Sequence, residues 1–191
     1  MAALRVPLVT PEEYLARERD AQTKSEYIAG EILVMAGGKP DHNMIATDLA
    51  RALGNRLETA GSACDVFNSD QRVRVAADHS HVRIKEWPGV GDPVFDGDDC
   101  LRNPALIVEV LSESTADYDR GEKFRHYRRL PSLRHYVLIE QDRMRVEHYR
   151  RREGVVWEPA GVYEAPTDRV ALPDLDVELP LAEIYRRVTF P

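Results

Sequence analysis

Cysteine is scarce in this sequence, and long apolar runs are absent. The 191 residues include two cysteines, Cys64 and Cys100, which are too few for a disulfide framework and form no Cys-x-x-Cys metal motif. No apolar run approaches the roughly 20 residues that a helix needs to cross a bilayer. The first residues also lack the apolar core of a signal peptide. We therefore expect a protein of the reducing cytoplasm that does not enter a membrane.

Several motifs of nucleotide-binding and hydrolytic enzymes are also missing. The sequence contains no GxGxxG, no Walker A motif and no GxSxG, so it gives no support for a dinucleotide site, a P-loop or a serine-hydrolase elbow. The net charge of −7 argues against wholesale electrostatic wrapping of nucleic acid. A local basic surface is still compatible with it, since six basic residues crowd one stretch: Arg120, Lys123, Arg125, Arg128, Arg129 and Arg134. A solvated helix face explains any one of them equally well.

The composition is that of an ordinary globular protein, with 43% hydrophobic and 31% charged residues. The length fits one domain over residues 1–191. Residues 103–141 contain the clearest pattern. Two apolar runs, 105–111 and 136–139, flank a charged segment at 117–130 that has helical spacing. Short aliphatic runs are typical of strands buried on both faces, and two of them joined by a helix predict a right-handed βαβ unit of parallel strands.

The remaining elements follow from local signals. A helix is predicted from a Thr10 cap to about Asp20, two short strands around the Ala29-Gly30 turn, and a longer helix over 42–60. Strands are predicted at 64–67 and 71–75, with one more near 82–87 in an otherwise irregular segment. The predicted elements after 141 are a hairpin over 145–157, a strand at 169–172 and a helix at 181–187. This order indicates a mixed α/β fold whose sheet is parallel in the middle.

Glu109 lies at the centre of the first apolar run, where an ionised carboxylate needs a cation or strong hydrogen bonds. The following helix offers candidates, because Asp119, Lys123 and Tyr127 recur at intervals of four on one face. A carboxylate that binds Mg²⁺ beside a lysine that stabilises phosphate charge is suited to phosphodiester hydrolysis. The plainer interpretations are a structural ion pair for Glu109 and an i,i+4 pair with Asp119 for Lys123.

Across nearly the whole chain the sequence resembles the Uma2 family of endonucleases, also known as DUF820, which have the restriction-endonuclease-like PD-(D/E)XK fold. The stretches that carry the resemblance are 27–35, His42-Asn43, Ala52-Leu53, Ser69-Asp70, Arg72-Val73, 103–112, 118–124, Tyr127-Arg128 and 179–181. The block from 103 to 138 is the most specific of these. The resemblance implies an α/β fold with a mixed central sheet flanked by helices. It also implies a Mg²⁺ cofactor and nucleic acid as the substrate. We expect Mn²⁺ to substitute for Mg²⁺, because its geometric demands are looser.

The resemblance also implies roles for individual residues. Glu109 matches the family's second acid, while Leu111 occupies the position where many proteins of this fold have their lysine. In this family the lysine is moved to the neighbouring helix, which makes it Lys123 here. Glu31 matches an acid that is often found beside the metal site.

One part of the sequence departs from the family pattern. In the family, the first acid normally follows Tyr-Pro, about 20 residues before the second acid. No Pro-Asp dipeptide occurs in that region of this chain, whose Pro-Asp dipeptides begin at Pro40 and Pro173. An ungapped count from Asp92-Pro93 places Glu86 at the acid's position, whereas alignment on Trp87-Pro88 places Gly89 there. A glutamate is able to bind the metal and a glycine is not.

The sequence therefore predicts an endonuclease that uses Mg²⁺ to hydrolyse DNA phosphodiester bonds. Its catalytic residues are expected to be Glu31, Glu86, Glu109 and Lys123, and its metal ligands Glu86 and Glu109. The resemblance further implies a homodimer. The alternative is a catalytically impaired protein of the same fold that binds nucleic acid or a protein partner, and it applies if Gly89 occupies the first-acid position.

Overall fold

The computed structural model describes residues 9–28, 30–35, 37–75, 81–83, 86–88, 92–97, 99–153 and 156–190, with the backbone alone in 81–83 and 86–88. Its helices are α1 (Pro11–Arg19), α2 (Pro40–Thr59), α3 (Ala116–Tyr118), α4 (Phe124–Tyr127) and α5 (Leu181–Ile184), with a 3-10 turn at Pro173–Leu175. A π-helical turn, Asp119–Lys123, joins α3 to α4, and these three segments together are called the central helix below.

The strands are β1 (Ser25–Ile28), β2 (Glu31–Val34), β3 (Val66–Asn68), β4 (Arg72–Arg74), β5 (His81–Arg83), β6 (Glu86–Pro88), β7 (Phe95–Asp96), β8 (Cys100–Leu101), β9 (Leu106–Leu111), β10 (His135–Glu140), β11 (Val146–Arg151), β12 (Trp157–Tyr163), β13 (Arg169–Leu172) and β14 (Val177–Pro180). The central sheet has the strand order β12-β11-β10-β9-β6-β3, and the second sheet has the order β2-β1-β5-β4-β8-β7. Strands β13 and β14 form a separate hairpin.

The predicted βαβ unit is present at the middle of the central sheet. Strands β9 and β10 pair in parallel, with Glu109 opposite Leu138, and the central helix connects them. All the other pairings of this sheet are antiparallel. The mixed sheet with a parallel centre is therefore confirmed.

Alternation along β9 divides its side chains between two cores. Leu106, Val108 and Val110 pack with the apolar face of α2, whereas Ile107 and Leu111 pack with the central helix. Because side chains two apart point to the same face of a strand, Glu109 faces the central helix. The sequence pattern thus places the only charged side chain of β9 opposite Lys123.

The start of α1 and the end of α2 lie where the sequence predicts them, whereas α2 begins at Pro40, two residues earlier than predicted. Thr10 and Glu13 form a reciprocal capping box at the start of α1. At the end of α2, the N–H groups of Gly61 and Ser62 donate to the carbonyls of Glu58 and Leu57, and Gly61 adopts a positive φ of 64°. This is the Schellman arrangement, which favours glycine because a Cβ strains the left-handed conformation.

The segment before β9 differs from its prediction. One strand was expected near 82–87, but the structure has β5 and β6, which belong to different sheets, followed by the short strands β7 and β8. Strands of two or three residues are too short for an alternating pattern to reveal them. Strand β14 was not predicted either, and α5 ends at Ile184 rather than 187. Of the helices that the structure describes, none combines the length and apolar character that a membrane crossing requires.

Candidate active site

A cavity of about 730 Å³ lies beside the carboxyl ends of the two parallel strands. Its walls come from the β1–β2 hairpin, the start of α2, the loop 112–115 after β9, the central helix, and Gln141 directly after β10. The carboxyl edge of parallel strands is where ligands bind in many α/β proteins. The side chains that line this cavity are therefore the natural candidates for a functional site.

Lys123 is the centre of a buried cluster on the cavity wall. Its side chain is 2% exposed, and its Nζ lies 2.8 Å from Oε1 of Glu26, 2.9 Å from Oε1 of Glu109 and 3.4 Å from Oδ1 of Asp119. All three carboxylates are buried as well. The cluster thus holds three acidic side chains around a single ammonium group, an excess of acids that suits a further cation.

The π-helical turn positions two members of the cluster. Asp119 and Lys123 are its first and last residues, and both are buried, whereas Gly121 and Glu122 between them are exposed. Single π-turns within α-helices are rare and occur frequently at functional sites. Asp119 and Lys123 thus both face the carboxylate of Glu109 from one turn of helix.

Tyrosine hydroxyls support the cluster from behind. Tyr127 donates a hydrogen bond of 3.0 Å to Oε1 of Glu109, and Tyr136 donates one of 2.8 Å to the backbone carbonyl of Asp119. Burial raises the pKa of both hydroxyls well above the usual value, and the neighbouring Glu109 adds to the effect. Both tyrosines therefore remain neutral donors at physiological pH.

The protonation state of Lys123 follows from two opposing effects. Burial alone lowers the pKa of an ammonium group, but the charges of Glu109 and Glu26 outweigh burial and raise the pKa of Lys123 well above its usual value. Lys123 is consequently a permanent cation at neutral pH. It is able to stabilise negative charge or orient a water molecule, and it is unsuited to accept a proton.

A divalent metal ion fits the chemistry of these donors. Mg²⁺ prefers oxygen ligands and commonly takes one or two carboxylates, with water and phosphate as its other ligands. Glu26 and Asp119 line the cavity, and none of the described residues forms a hydrogen bond with the buried Oδ2 of Asp119. Among the described residues, no three or more His, Cys, Asp and Glu side chains are grouped as in an all-protein metal site. The donor set therefore suits an ion that keeps most of its water.

The structure brings together two of the four predicted catalytic residues. Glu109 and Lys123 are in direct contact, although Lys123 lines the cavity and Glu109 lies behind it, with 0% exposure. The backbone of Glu86 pairs with Val108, in the strand adjacent to Glu109; its side chain and the whole of Gly89 lie outside the described residues.

Glu31 is not part of the cluster. It is exposed at the start of β2 and is not among the residues that line the cavity. The β1–β2 hairpin contributes Glu26 instead, which is 4% exposed and contacts Lys123. The resemblance implies that Glu31 lies beside the metal site, but Glu31 does not line the cavity, and Glu26, five residues earlier, is the acid that reaches Lys123.

Glu26 and Asp119 were not predicted as members of the site. Asp119 had a usable signal, since its interval of four from Lys123 places both on one helix face. Glu26 had none, because a carboxylate between Ser25 and Tyr27 in a four-residue strand is equally compatible with a solvated hairpin. Its burial results from a contact with Lys123, which is distant in sequence.

The basic stretch around the central helix, which the net charge left open as a nucleic-acid surface, is partly neutralised by ion pairs. Arg120 contacts Glu140 and Glu147 at 2.8 and 3.0 Å, and other arginines of this region pair with acids in the same way. These pairs are Arg125 with Glu122, Arg143 with Glu140, and Arg145 with Glu164. Much of the local positive charge is therefore balanced within the protein.

The fold and the buried acid–lysine cluster define a protein of the restriction-endonuclease-like class. A solved structure with the same fold is described as a "putative nuclease belonging to DUF820" from Anabaena variabilis. It superposes with a TM-score of 0.74, is 16% identical, and the match covers 93% of this chain and 98% of that one.

The particular family is Uma2, described as "Putative restriction endonuclease". Its family model matches residues 11–182, and the chain belongs to this family. Two similar proteins come from Synechocystis sp.: "Uncharacterized protein sll1609", 38% identical over 79% of this chain and 85% of its own length, and "Uncharacterized protein slr1290", 32% identical over 96% and 95%.

Proposed function

We propose that this protein is a nuclease that hydrolyses phosphodiester bonds of DNA with the help of Mg²⁺. The observation that carries the proposal is the contact of Lys123 with three buried carboxylates at the wall of a cavity, at the carboxyl edge of a parallel strand pair. Family membership supports it, since the family is described as "Putative restriction endonuclease".

Each part of the cluster suits one requirement of phosphodiester hydrolysis. Lys123 supplies a fixed positive charge in a buried setting, where it stabilises negative charge more strongly than in water. Glu26 and Asp119 would bind the metal ion from the cavity, and Glu109 would join them if the ammonium group moved aside. When bound, the ion supplies charge for the scissile phosphate and lowers the pKa of a coordinated water. Glu86 remains a predicted ligand from the neighbouring strand.

Nicking of supercoiled plasmid in Mg²⁺ or Mn²⁺ tests this function. We expect weak cleavage by the wild type, with Mn²⁺ the better ion. Asp119→Asn removes one negative charge with little change in shape, and we expect at least a 100-fold loss of rate. Asp117→Asn is the matched control, because Asp117 is exposed on the same helix and should leave the rate unchanged.

Two further variants test which acid of the β1–β2 hairpin takes part in cleavage. Glu26→Gln should reduce cleavage as strongly as Asp119→Asn, whereas Glu31→Gln should cleave like the wild type. Glu86→Ala tests the predicted first acid in the same assay. Full activity in both Glu26→Gln and Asp119→Asn would remove the cluster from the reaction.

The alternative is a protein of this fold that binds nucleic acid without cutting it. The contacts that favour it are those of Lys123, whose ammonium group is already paired with three carboxylates. Retardation of DNA that weakens with salt, together with no cleavage in either ion, would favour this alternative. The predicted homodimer and the predicted cytoplasmic location belong to the same proposal, and sedimentation of the purified protein tests the dimer.

A further inference from the structure

Helix α2 begins at the wall of the cavity. It has 20 residues, and its N-cap residue, Lys39, makes no side-chain capping hydrogen bond. The first N–H groups of a helix have no partner within the helix, and the helix dipole adds positive potential there. Gly38, Lys39 and His42 all line the cavity. The start of α2 therefore presents donors and positive potential toward bound anions.

Gln141 lines the same cavity and is unusual in its hydrogen bonding. It directly follows β10, is 3% exposed, and among the described residues neither its Oε1 nor its Nε2 has a hydrogen-bond partner. Buried polar side chains are nearly always hydrogen bonded, and leaving one unpaired costs stability. A side chain of this kind beside a cavity indicates a ligand that supplies the missing partner.

The segment before α2 approaches the helix too closely for a side chain. A Cβ on Gly38 would lie 2.6 Å from Cδ2 of His42 and 2.9 Å from Oδ1 of Asn43. The amide of Asn43 donates to the carbonyl of Gly38, which holds this segment against the first turn of α2. The backbone at Gly38 is thus kept in place beside the helix start without a side chain to cover it.

Charge identifies the class of ligand. The acids Glu26, Glu113 and Asp119 disfavour an anion on their side of the cavity, whereas the start of α2 and the exposed Lys39 favour one. Asp41, in the first turn of α2, is exposed and is not among the lining residues. Backbone N–H groups and helix N-termini are frequent phosphate contacts in protein–DNA complexes.

We propose that the start of α2, Lys39 and Gln141 form a phosphate subsite, which binds a phosphate next to the one that is cleaved. The proposal rests on the nuclease function for the source of that phosphate. The amide Nε2 of Gln141 donates to a phosphate oxygen, and the ammonium group of Lys39 adds charge at the rim. The subsite fixes the register of the strand relative to Lys123.

The test measures the affinity of the metal-free protein for inorganic phosphate and for a short DNA duplex. We expect Gln141→Leu to weaken both by roughly 10-fold, since a hydrogen bond to a charged group is lost. Gln141→Glu should weaken them further by repulsion, and Lys39→Gln should lower the salt dependence of duplex binding by about one charge. The control is Lys24→Gln, at an exposed lysine that pairs with Asp70 outside the cavity, which should bind like the wild type.

Thermal melting separates binding from folding. Gln141→Leu should melt at or above the wild-type temperature, because it removes a buried polar group without a partner. Equal phosphate affinity in the wild type, Gln141→Leu and Lys39→Gln would overturn the subsite, even if plasmid cleavage is observed. Phosphate binding that depends on Gln141, in a protein that cleaves nothing, would support the subsite and contradict the nuclease function. A wild type without affinity for phosphate or duplex would overturn the subsite, and plasmid cleavage in Mg²⁺ or Mn²⁺ would still decide the nuclease function.

Discussion

The ammonium group of Lys123 lies where a lysine without partners would lose its proton. Burial disfavours its charge, and the contacts with Glu109 and Glu26 more than compensate, so its pKa in the folded protein is above the unfolded value. The stabilisation that this shift provides is fully present below the ordinary lysine pKa of about 10.4. It is lost only as the pH rises through the higher pKa of the folded state. At neutral pH Lys123 is therefore charged and in contact with all three carboxyl groups of the cluster.

Removal of this charge should destabilise the protein strongly. Lys123→Met leaves three buried carboxylates without their cation, and breaking a buried ion pair from one side costs about 3–5 kcal/mol. We expect a loss of this size in the free energy of unfolding at pH 8, measured with urea. The loss should be smaller at pH 5, because buried carboxylates without a cation take up protons more readily than those of the unfolded chain.

Lys39→Met is the control for this variant. Lys39 is exposed, and its replacement should change the unfolding free energy by less than about 0.5 kcal/mol. A cost below about 1 kcal/mol for Lys123→Met would mean that the three acids do not depend on the lysine for their burial.

The sequence predicted the pairing of Glu109 and Lys123 because the two residues belong to consecutive elements of the chain. A carboxylate inside an apolar strand requires a partner, and the helix that follows must pack on that strand. Glu26 could not be predicted in this way, because its strand is short and its partner is almost 100 residues away. The resemblance pointed instead to Glu31, which has the same side chain and lies on the same hairpin.

At the level of elements, the sequence predicts the position of the central helix but not its π-helical turn. Its helical spacing and its place between two parallel strands were evident from charge and apolar pattern, whereas the π-turn Asp119–Lys123 was not. Glu109 and Tyr136 contact the two ends of this turn, at Lys123 and Asp119. The local sequence of the helix contains no signal for these contacts.

Gly121 lies within this turn, and its replacement by alanine tests how the backbone conformation there affects the stability of the protein. It is exposed, its φ is not in the left-handed region, and a Cβ would have no atom within 4 Å. Gly121→Ala should therefore stabilise the protein by roughly 0.5–1 kcal/mol, because alanine loses less conformational entropy in a helix. This corresponds to a rise in melting temperature of about 1–4 °C for a chain of this size.

The same substitution at Gly61 should have the opposite sign. Gly61 ends α2 with a φ of 64°, where an alanine costs about 1–2 kcal/mol. Thermal melting of the two variants, measured side by side, checks both expectations. Stabilisation at Gly61, or destabilisation at Gly121, would contradict the backbone conformations described here.

For the molecule as a whole, the central sheet separates two polar clusters with different pH behaviour. The cluster around Lys123 lies on the side of the central helix. On the other side, Nδ1 of His135 lies 3.0 Å from Nε2 of His148, and Nε2 of His135 lies 3.0 Å from Oδ2 of Asp174. Both histidines are nearly inaccessible to solvent, at 0% and 2% exposure. Arg150 also contacts Asp174 and adds a positive charge near the pair.

Burial lowers the pKa of these histidines, to about 4 for His135 and about 3 for His148. For His135 the carboxylate of Asp174 partly opposes this effect, while for His148 the neighbouring His135 and Arg150 reinforce it. Both side chains are thus neutral in the folded protein at pH 5, whereas histidines of the unfolded chain titrate near 6.5. Their contribution to stability is present above pH 6.5 and is lost as the pH falls toward the folded values.

The protein should consequently lose stability on mild acidification. Between pH 7 and pH 5 the unfolded state gains protons that the folded state does not, which lowers the free energy of unfolding by roughly 2 kcal/mol for each histidine. Aspartate and glutamate contribute little between pH 7 and pH 5, because the ordinary pKa values of their carboxyl groups lie below this interval. We expect urea unfolding of the wild type to show this decrease, and His148→Gln to show about half of it. The difference between the two pH values is the quantity to compare, since the substitution itself changes the stability at both. A decrease of equal size in wild type and His148→Gln would mean that His148 is protonated in the folded state, and the acid sensitivity would then originate outside this pair.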